Sequence, residues 1–245
     1  MNIKDNTILI TGGGSGIGLE IAKALSPANK IIIVGRNKEK LEAAAKDLEN
    51  VFTIQADITN ESDVNRLYEE VKTTFGGLNI LINNAGNAYV YNIANDGDAH
   101  NKALAEFTTN YFAPIRLTEK FLPLLKEQNE SAIVNVSSIV GFVPGYHLPT
   151  YSDSKAALHS HTQVLRYQLA KDTNVKVFEL MPPLVDTDFS VEIGGRENGI
   201  PASDVAESLV NGLKENIYEI RLGNTELLYN NFFAATEGAF ATFNN

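Results

Sequence analysis

Short runs rich in Ile, Val and Leu alternate along the chain with longer stretches whose apolar residues recur every three or four positions. An unbroken apolar run reads as a strand buried on both faces, and the 3.6-residue period between runs reads as the helix that covers it. Strands are predicted at 7–11, 30–35, 51–56, 80–83, 132–137 and 175–180, with a seventh at 218–222. Helical spacing covers 38–48, 63–75, 102–126, 151–171 and 203–215, and a further helix follows the glycines after the first strand. This repeated β-α order predicts an α/β fold, a parallel sheet covered by helices. Pro114 and Pro123 fall inside the third of the listed spans, so a kink or early end is expected there. Residues 184–201, holding Gly194, Gly195 and Gly199, lack periodicity and read as a lid or binding loop.

Composition narrows the picture. At 245 residues the chain suits one α/β domain, 1–245, and no linker or repeat divides it. No apolar run is long enough to span a bilayer, and the first hydrophobic stretch is too short for a secretory signal, so a cytoplasmic protein without membrane contact is expected. With 0 Cys there is no disulfide, thiolate metal site or Cys nucleophile, and with 4 His no metal centre is expected. A formal charge of −10 argues against a nucleic-acid partner.

Candidate chemistry begins after the first strand, with Thr11, Gly12, Gly13, Gly14, Ser15, Gly16, Ile17 and Gly18 leading into the helix. A tight strand-to-helix turn needs glycines for its φ angles and aims the N–H groups of the helix start at an anion, so Gly12, Gly14, Ser15, Gly16, Ile17 and Gly18 are candidate dinucleotide contacts. A flexible turn is the bland alternative. At the end of the second strand, where an NAD enzyme usually places a carboxylate, stand Gly35, Arg36 and Asn37. Arg36 can donate a paired, charge-assisted bond to a 2′-phosphate, so NADP(H) is expected to be preferred, with NAD(H) also accepted. An ordinary solvated cation opening a charged helix is the other reading of Arg36. Asp57 with Ile58, and Asn83, Asn84, Ala85 and Gly86, occupy later strand ends where ligands bind in such sheets, and they read equally as turn chemistry.

Tyr151 and Lys155, four apart at a predicted helix start, share one face, and Ser138 ends the fifth strand. Reduction of a carbonyl needs a proton donor at the oxygen, and free tyrosine, with a pKa near about 10, holds its proton tightly. Lowering it by about three units needs roughly 4 kcal/mol. An ammonium about 4 Å away supplies roughly that at an effective dielectric of about 20, so a partly dry site is implied. Ser138 can hydrogen-bond the substrate oxygen, and Asn110 can extend a proton path to solvent. Each of these residues taken alone also reads as ordinary packing or surface chemistry.

Taken in order, the glycine turn, Asn83-Asn84-Ala85-Gly86, Asn110, Ser138 and Tyr151 with Lys155 resemble the short-chain dehydrogenase/reductase family in its compact branch. The resemblance implies a Rossmann-like, doubly wound sheet of about seven strands with helices on both faces. It also implies Tyr151 as general acid/base, Lys155 holding the nicotinamide ribose, Ser138 positioning the carbonyl and Asn110 organising a water. The family's Pro-Gly-x-Val-x-Thr contact to the nicotinamide is here Pro182, Pro183, Leu184, Val185, Asp186 and Thr187, with Pro183 in the glycine's place. That segment, with the Glu-Leu-Met before it, further resembles a bacterial subgroup named for D-alanine esterification of teichoic acids. A homodimer or homotetramer is implied, with Phe107, Phe112, Leu158, Val164 and Leu165 giving the interface helices apolar surface. The function expected is an NADP(H)-dependent carbonyl reductase or alcohol dehydrogenase acting on a small to medium substrate. A silent nucleotide-sensing protein on the same fold is the alternative.

Overall fold

The computed structural model describes residues 1–234. In chain order the strands are β1 (Thr7–Thr11), β2 (Lys30–Gly35), β3 (Val51–Gln55), β4 (Ile80–Asn83), β5 (Ser131–Val136), β6 (Val175–Met181), β7 (Val185–Asp186), β8 (Ile200–Pro201) and β9 (Glu219–Arg221). Seven of them form one sheet in the order β3-β2-β1-β4-β5-β6-β9, every neighbouring pair parallel. β7 and β8 pair only with each other, across the base of the loop predicted at 184–201.

The helices are α1 (Gly16–Leu25), α2 (Lys38–Ala45), α3 (Glu61–Glu70), α4 (Ala99–Phe107), α5 (Ala113–Lys126), α6 (Pro149–Asp172), α7 (Gly195–Asn198), α8 (Ala202–Glu215) and α9 (Asn224–Ala234). Period-two alternation assigns strand residues to two cores. Ile8, Ile10, Ile31 and Ile33 meet Ile21, Leu25, Val205 and Leu209 from α1 and α8. Leu9, Ile32, Leu81 and Ile133 meet Leu67, Leu117, Phe121 and Leu169 from α3, α5 and α6 on the other face. With both faces covered, the sheet has no polar side, which is why the strands read as unbroken apolar runs. Among the described residues no helix is long and apolar enough to cross a membrane.

The predicted 102–126 helix is interrupted, as expected from its prolines, close to Pro114 and not at Pro123. It is α4 and α5 joined by one wide π-helical turn at Thr108–Phe112, with Pro114 at the start of α5. Pro114 has no N–H to give the carbonyl of Asn110 four residues earlier, and its ring crowds that carbonyl, so the chain widens by one residue before resuming. Pro123 is carried inside α5 without ending it. The loop after β6 also holds more structure than its lack of periodicity suggested: a 3₁₀ segment Asp188–Ile193, α7, and the β7/β8 ladder. α9 had no counterpart among the predicted helices.

The chain runs outward from β1 to β3, returns across the sheet to β4 and continues outward to β9. Strand order therefore reverses between β1 and β4, and the crevice at their carboxyl ends is where open α/β sheets bind ligands.

Candidate active site

The glycine turn sits in that crevice. Gly12 and Gly16 have φ of +67° and +53°, a region side chains rarely adopt. A Cβ on Gly18 would lie 2.5 Å from both the Asn84 amide nitrogen and the Gly12 carbonyl oxygen. The turn is held from β4: the Thr11 hydroxyl accepts from the Asn84 and Ala85 N–H groups at 3.0 Å each, and Asn84 Nδ2 donates to the Thr11 carbonyl at 2.9 Å. The Asn84 side chain is thus spent on shaping the turn. Ser15 caps α1 with extended backbone and no side-chain hydrogen bond, so the first N–H groups of α1 have no side-chain cap.

Around the turn the other expected residues gather unevenly. Arg36 is exposed at the end of β2 and, among the described residues, pairs with no carboxylate. Asn37 caps α2, its side-chain oxygen accepting from Lys40 N at 2.7 Å. Asp57 Oδ1 accepts from the N–H and hydroxyl of Thr59, and the Ile58 side chain packs into the core. Pro183 stands between β6 and β7. Thr187 reaches the glycine turn, its Cγ2 3.2 Å from where a Cβ on Gly16 would stand, while Val185 forms β7 and the Pro182 carbonyl accepts from Ile139 N. The cradle of uncapped N–H groups, positive-φ glycines and an unpaired arginine fits a phosphorylated dinucleotide.

The catalytic candidates converge where β5 ends and α6 begins. Ser138 accepts from Val140 N at 3.3 Å and its hydroxyl hydrogen-bonds the buried Tyr151 phenol. Lys155 is buried, stands 5.6 Å from the Tyr151 ring centre and donates from Nζ to the Val136 carbonyl at 2.8 Å. Asn110, in the wide turn before α5, accepts from Asn87 N at 2.8 Å and donates to the Asn87 carbonyl and to Ser154 Oγ at 2.8 and 2.9 Å. Ser154 in turn donates to the Tyr151 carbonyl, so Asn110 ties the loop after β4 to the helix carrying the tyrosine.

One electrostatic expectation is reversed. Burial pushes the Tyr151 phenol above its ordinary value; the Ser138 hydrogen bond pulls it down in part, and nearby Glu106 pushes it further up. Burial also lowers Lys155 to about 8, against an upward pull from Glu179. The cost of burying both groups outweighs the ammonium's attraction for the phenolate.

Sequence reasoning missed Glu106, fully buried one turn before Asn110 on α4. It accepts from Tyr89 N at 2.8 Å and from the Thr150 hydroxyl, which also meets Tyr91 Oη at 2.8 Å, and burial raises its carboxyl. The signal was an acidic residue four positions before Asn110, on the same helix face. The Phe189 ring lies 5.9 Å from that of Tyr151. Of the expected interface residues, Leu158 and Leu165 are buried against the protein itself, whereas Phe112 and Val164 are exposed, as are Leu104 and Tyr167.

Comparison with known proteins adds to this geometry. The family model described as short chain dehydrogenase matches residues 6–198. An uncharacterized oxidoreductase of Bacillus subtilis (strain 168), DltE, is 38% identical over 90% of this chain and 89% of its own. An uncharacterized oxidoreductase of Staphylococcus aureus (strain USA300) is 33% identical over 89% of this chain and 96% of its own. A short chain dehydrogenase from Burkholderia cenocepacia, solved in complex with NADP, superposes with a TM-score of 0.87 at 27% identity, covering 99% of both chains. A short chain dehydrogenase/reductase from Burkholderia phymatum, solved with NAD, shares the fold at a TM-score of 0.84 and 22% identity, over 90% of this chain and 89% of that one.

Proposed function

The chain belongs to the short chain dehydrogenase family of oxidoreductases, and from that membership we propose that it is an NADP(H)-dependent carbonyl reductase or alcohol dehydrogenase. The observation that carries the reading is the hydrogen bond between Ser138 and Tyr151, with the Lys155 ammonium beside the same ring, next to a glycine turn fitted to a dinucleotide.

A bound nicotinamide supplies hydride transfer, and the protein supplies everything else. Ser138, whose oxygen accepts from Val140 N, gives its proton to the Tyr151 oxygen in the free protein and can turn it to a carbonyl oxygen when substrate is present. Tyr151 stands next to it as proton donor. Its raised pKa keeps the proton in place at neutral pH, and transfer still runs downhill because an alkoxide is a stronger base than a phenolate. Lys155 stabilises the phenolate left behind and would hold the cofactor's ribose. Asn110 fixes Asn87 and Ser154, and through Ser154 the backbone of Tyr151. Gly12, Gly14, Ser15, Gly16, Ile17 and Gly18 would hold the pyrophosphate, Arg36 and Asn37 the adenosine end, Asp57 and Ile58 the adenine, and Ala85, Gly86, Pro182, Val185 and Thr187 the nicotinamide half. Asn84 contributes by shaping the turn.

Arg36 is the observation that supports NADP(H) over NAD(H); of the two solved neighbours one holds NADP and the other NAD. The exposed Leu104, Phe112, Val164 and Tyr167 on and between α4 and α6 support a homodimer or homotetramer. Light scattering at micromolar concentration tests this, and a monomeric mass refutes it. The activity is tested by following NADPH absorbance with a panel of aldehydes and ketones. Carbonyl-dependent oxidation is expected, and its absence across the panel, with NADPH binding intact, would favour a nucleotide sensor.

A further inference from the structure

We infer that Glu179 is a positioning residue for the reaction proposed above, its buried carboxylate pairing directly with His159 and acting on the Lys155 ammonium across the adjoining Val136 and Ser137. A carboxylate in the middle of a strand covered on both faces is costly unless something is gained from it. Glu179 lies on β6, fully buried, in register between Asn135 of β5 and Glu219 of β9. Ser137 donates its hydroxyl to Oε1 at 2.5 Å, and His159 Nδ1 stands 3.0 and 2.9 Å from the two carboxylate oxygens.

The arrangement closes on the catalytic lysine. His159 is one turn after Lys155 on α6, so both side chains face the same end of β5 and β6. Lys155 gives its proton to the Val136 carbonyl, and the next residue, Ser137, gives its proton to Glu179. Ammonium and carboxylate are therefore anchored on consecutive residues, the last of β5 and the one that follows it.

Other charged groups around the pair are committed elsewhere. Arg166, farther along α6, bonds the carbonyls of Val177 and Tyr218 and pairs with Glu219 at 3.1 Å, and Glu219 also pairs with Arg221 at 2.7 Å. The Phe142 ring meets His159 edge-on at 4.7 Å and Tyr229 of α9 packs behind it, leaving the partly exposed His159 as the cluster's contact with solvent. Glu106 acts on Tyr151 instead of on Lys155. Glu179 is thus the carboxylate that opposes the downward push of burial on Lys155.

With Lys155 near about 8, roughly nine-tenths of it is charged at pH 7. Because burial holds the Tyr151 phenol high, loss of the lysine's charge sets the alkaline limb of carbonyl reduction. Glu179→Gln keeps the volume and the hydrogen bond from Ser137 but removes the charge, so it should move that limb to lower pH. A purely structural Glu179 would lower stability or rate at every pH and leave the limb in place.

The test reads the lysine itself. Protein labelled with ¹³C at the lysine Cε is titrated without cofactor, the Lys155 signal being assigned by its loss in Lys155→Met. A midpoint at least one pH unit lower in Glu179→Gln than in wild type is expected. In wild type the Glu179 carboxyl carbon should show an inflection at the Lys155 midpoint, a coupling readable even if the variant does not fold. Equal midpoints, or no inflection, overturn the inference. Reduction by wild type with an unmoved alkaline limb in the variant would sink this pairing alone. No reduction by wild type at any pH would sink the functional reading, while the titration still decides the pair.

Discussion

Replacing Lys155 with Met should make the protein more stable at neutral pH while ending its activity. Burial lowers this ammonium from 10.5 to about 8. Between those values the unfolded chain holds a proton that the folded protein does not, so stability rises with pH across the window and the penalty is fully present below 8. At about 1.36 kcal/mol per unit, the penalty at pH 7 is about 3 kcal/mol. Met has a similar apolar stem and removes the charge, but it abandons the bond to the Val136 carbonyl, which costs about 1 kcal/mol. A net gain of about 2 kcal/mol remains, or about 4 to 8 °C in Tm for a chain of this size. Urea unfolding of both proteins from pH 6.5 to pH 11 would show the advantage shrinking through the window, passing zero and ending with Lys155→Met the less stable by about 1 kcal/mol, the lost Val136 bond, at its top. The reasoning is refuted if Lys155→Met is no more stable than wild type at pH 7, or if its advantage stays constant up to pH 11.

Tyr151→Phe should abolish turnover while the Kd for NADPH changes less than about twofold, since one hydroxyl is lost and the ring's packing kept; measurable kcat in the variant would place the proton donor elsewhere. Arg36→Ala should weaken NADPH binding roughly ten- to a hundredfold and leave NADH nearly unaffected, and titration with both cofactors checks whether the preference disappears. Gly18→Ala should destabilise the fold by about 1 to 3 kcal/mol and loosen cofactor binding, because its Cβ meets the Asn84 amide and the Gly12 carbonyl at 2.5 Å; an unchanged Tm would show that the turn relaxes freely.

The sheet was legible because its inner strands are dominated by large aliphatics, with only isolated polar interruptions such as Asn135 of β5 and Lys176 and Glu179 of β6. Ile31, Ile32, Ile33 and Val34, for instance, are wholly buried on alternating faces, so their order in sequence carries the burial directly. The glycine turn and the Tyr151–Lys155 pair were legible because short-range spacing fixes which groups share a face. Features that depend on what arrives from elsewhere in the chain were not. The wide turn at Thr108–Phe112 reads as ordinary helix until Pro114 is weighed against the Asn110 carbonyl. Asn84 looks like a ligand contact, yet its amide is claimed by Thr11, 73 residues earlier in sequence. Tyr151 and Lys155 could be paired from the sequence, but the balance of their desolvation against Ser138, Glu106 and Glu179 needs the packed interior.

The ladder between β7 and β8 bears on how such a scaffold diversifies. Ile200 N donates to the Leu184 carbonyl at 3.0 Å, and Val185 and Asp186 run beside Ile200 and Pro201, so the excursion between them leaves and re-enters the body at nearly one point. A segment closed at its neck in this way can be lengthened, shortened or exchanged without altering the register of the main sheet. Residues 188–199 are thus a replaceable cassette carrying Phe189 toward Tyr151, and under the function proposed above transplanting the equivalent stretch from a relative is expected to change which carbonyls are reduced.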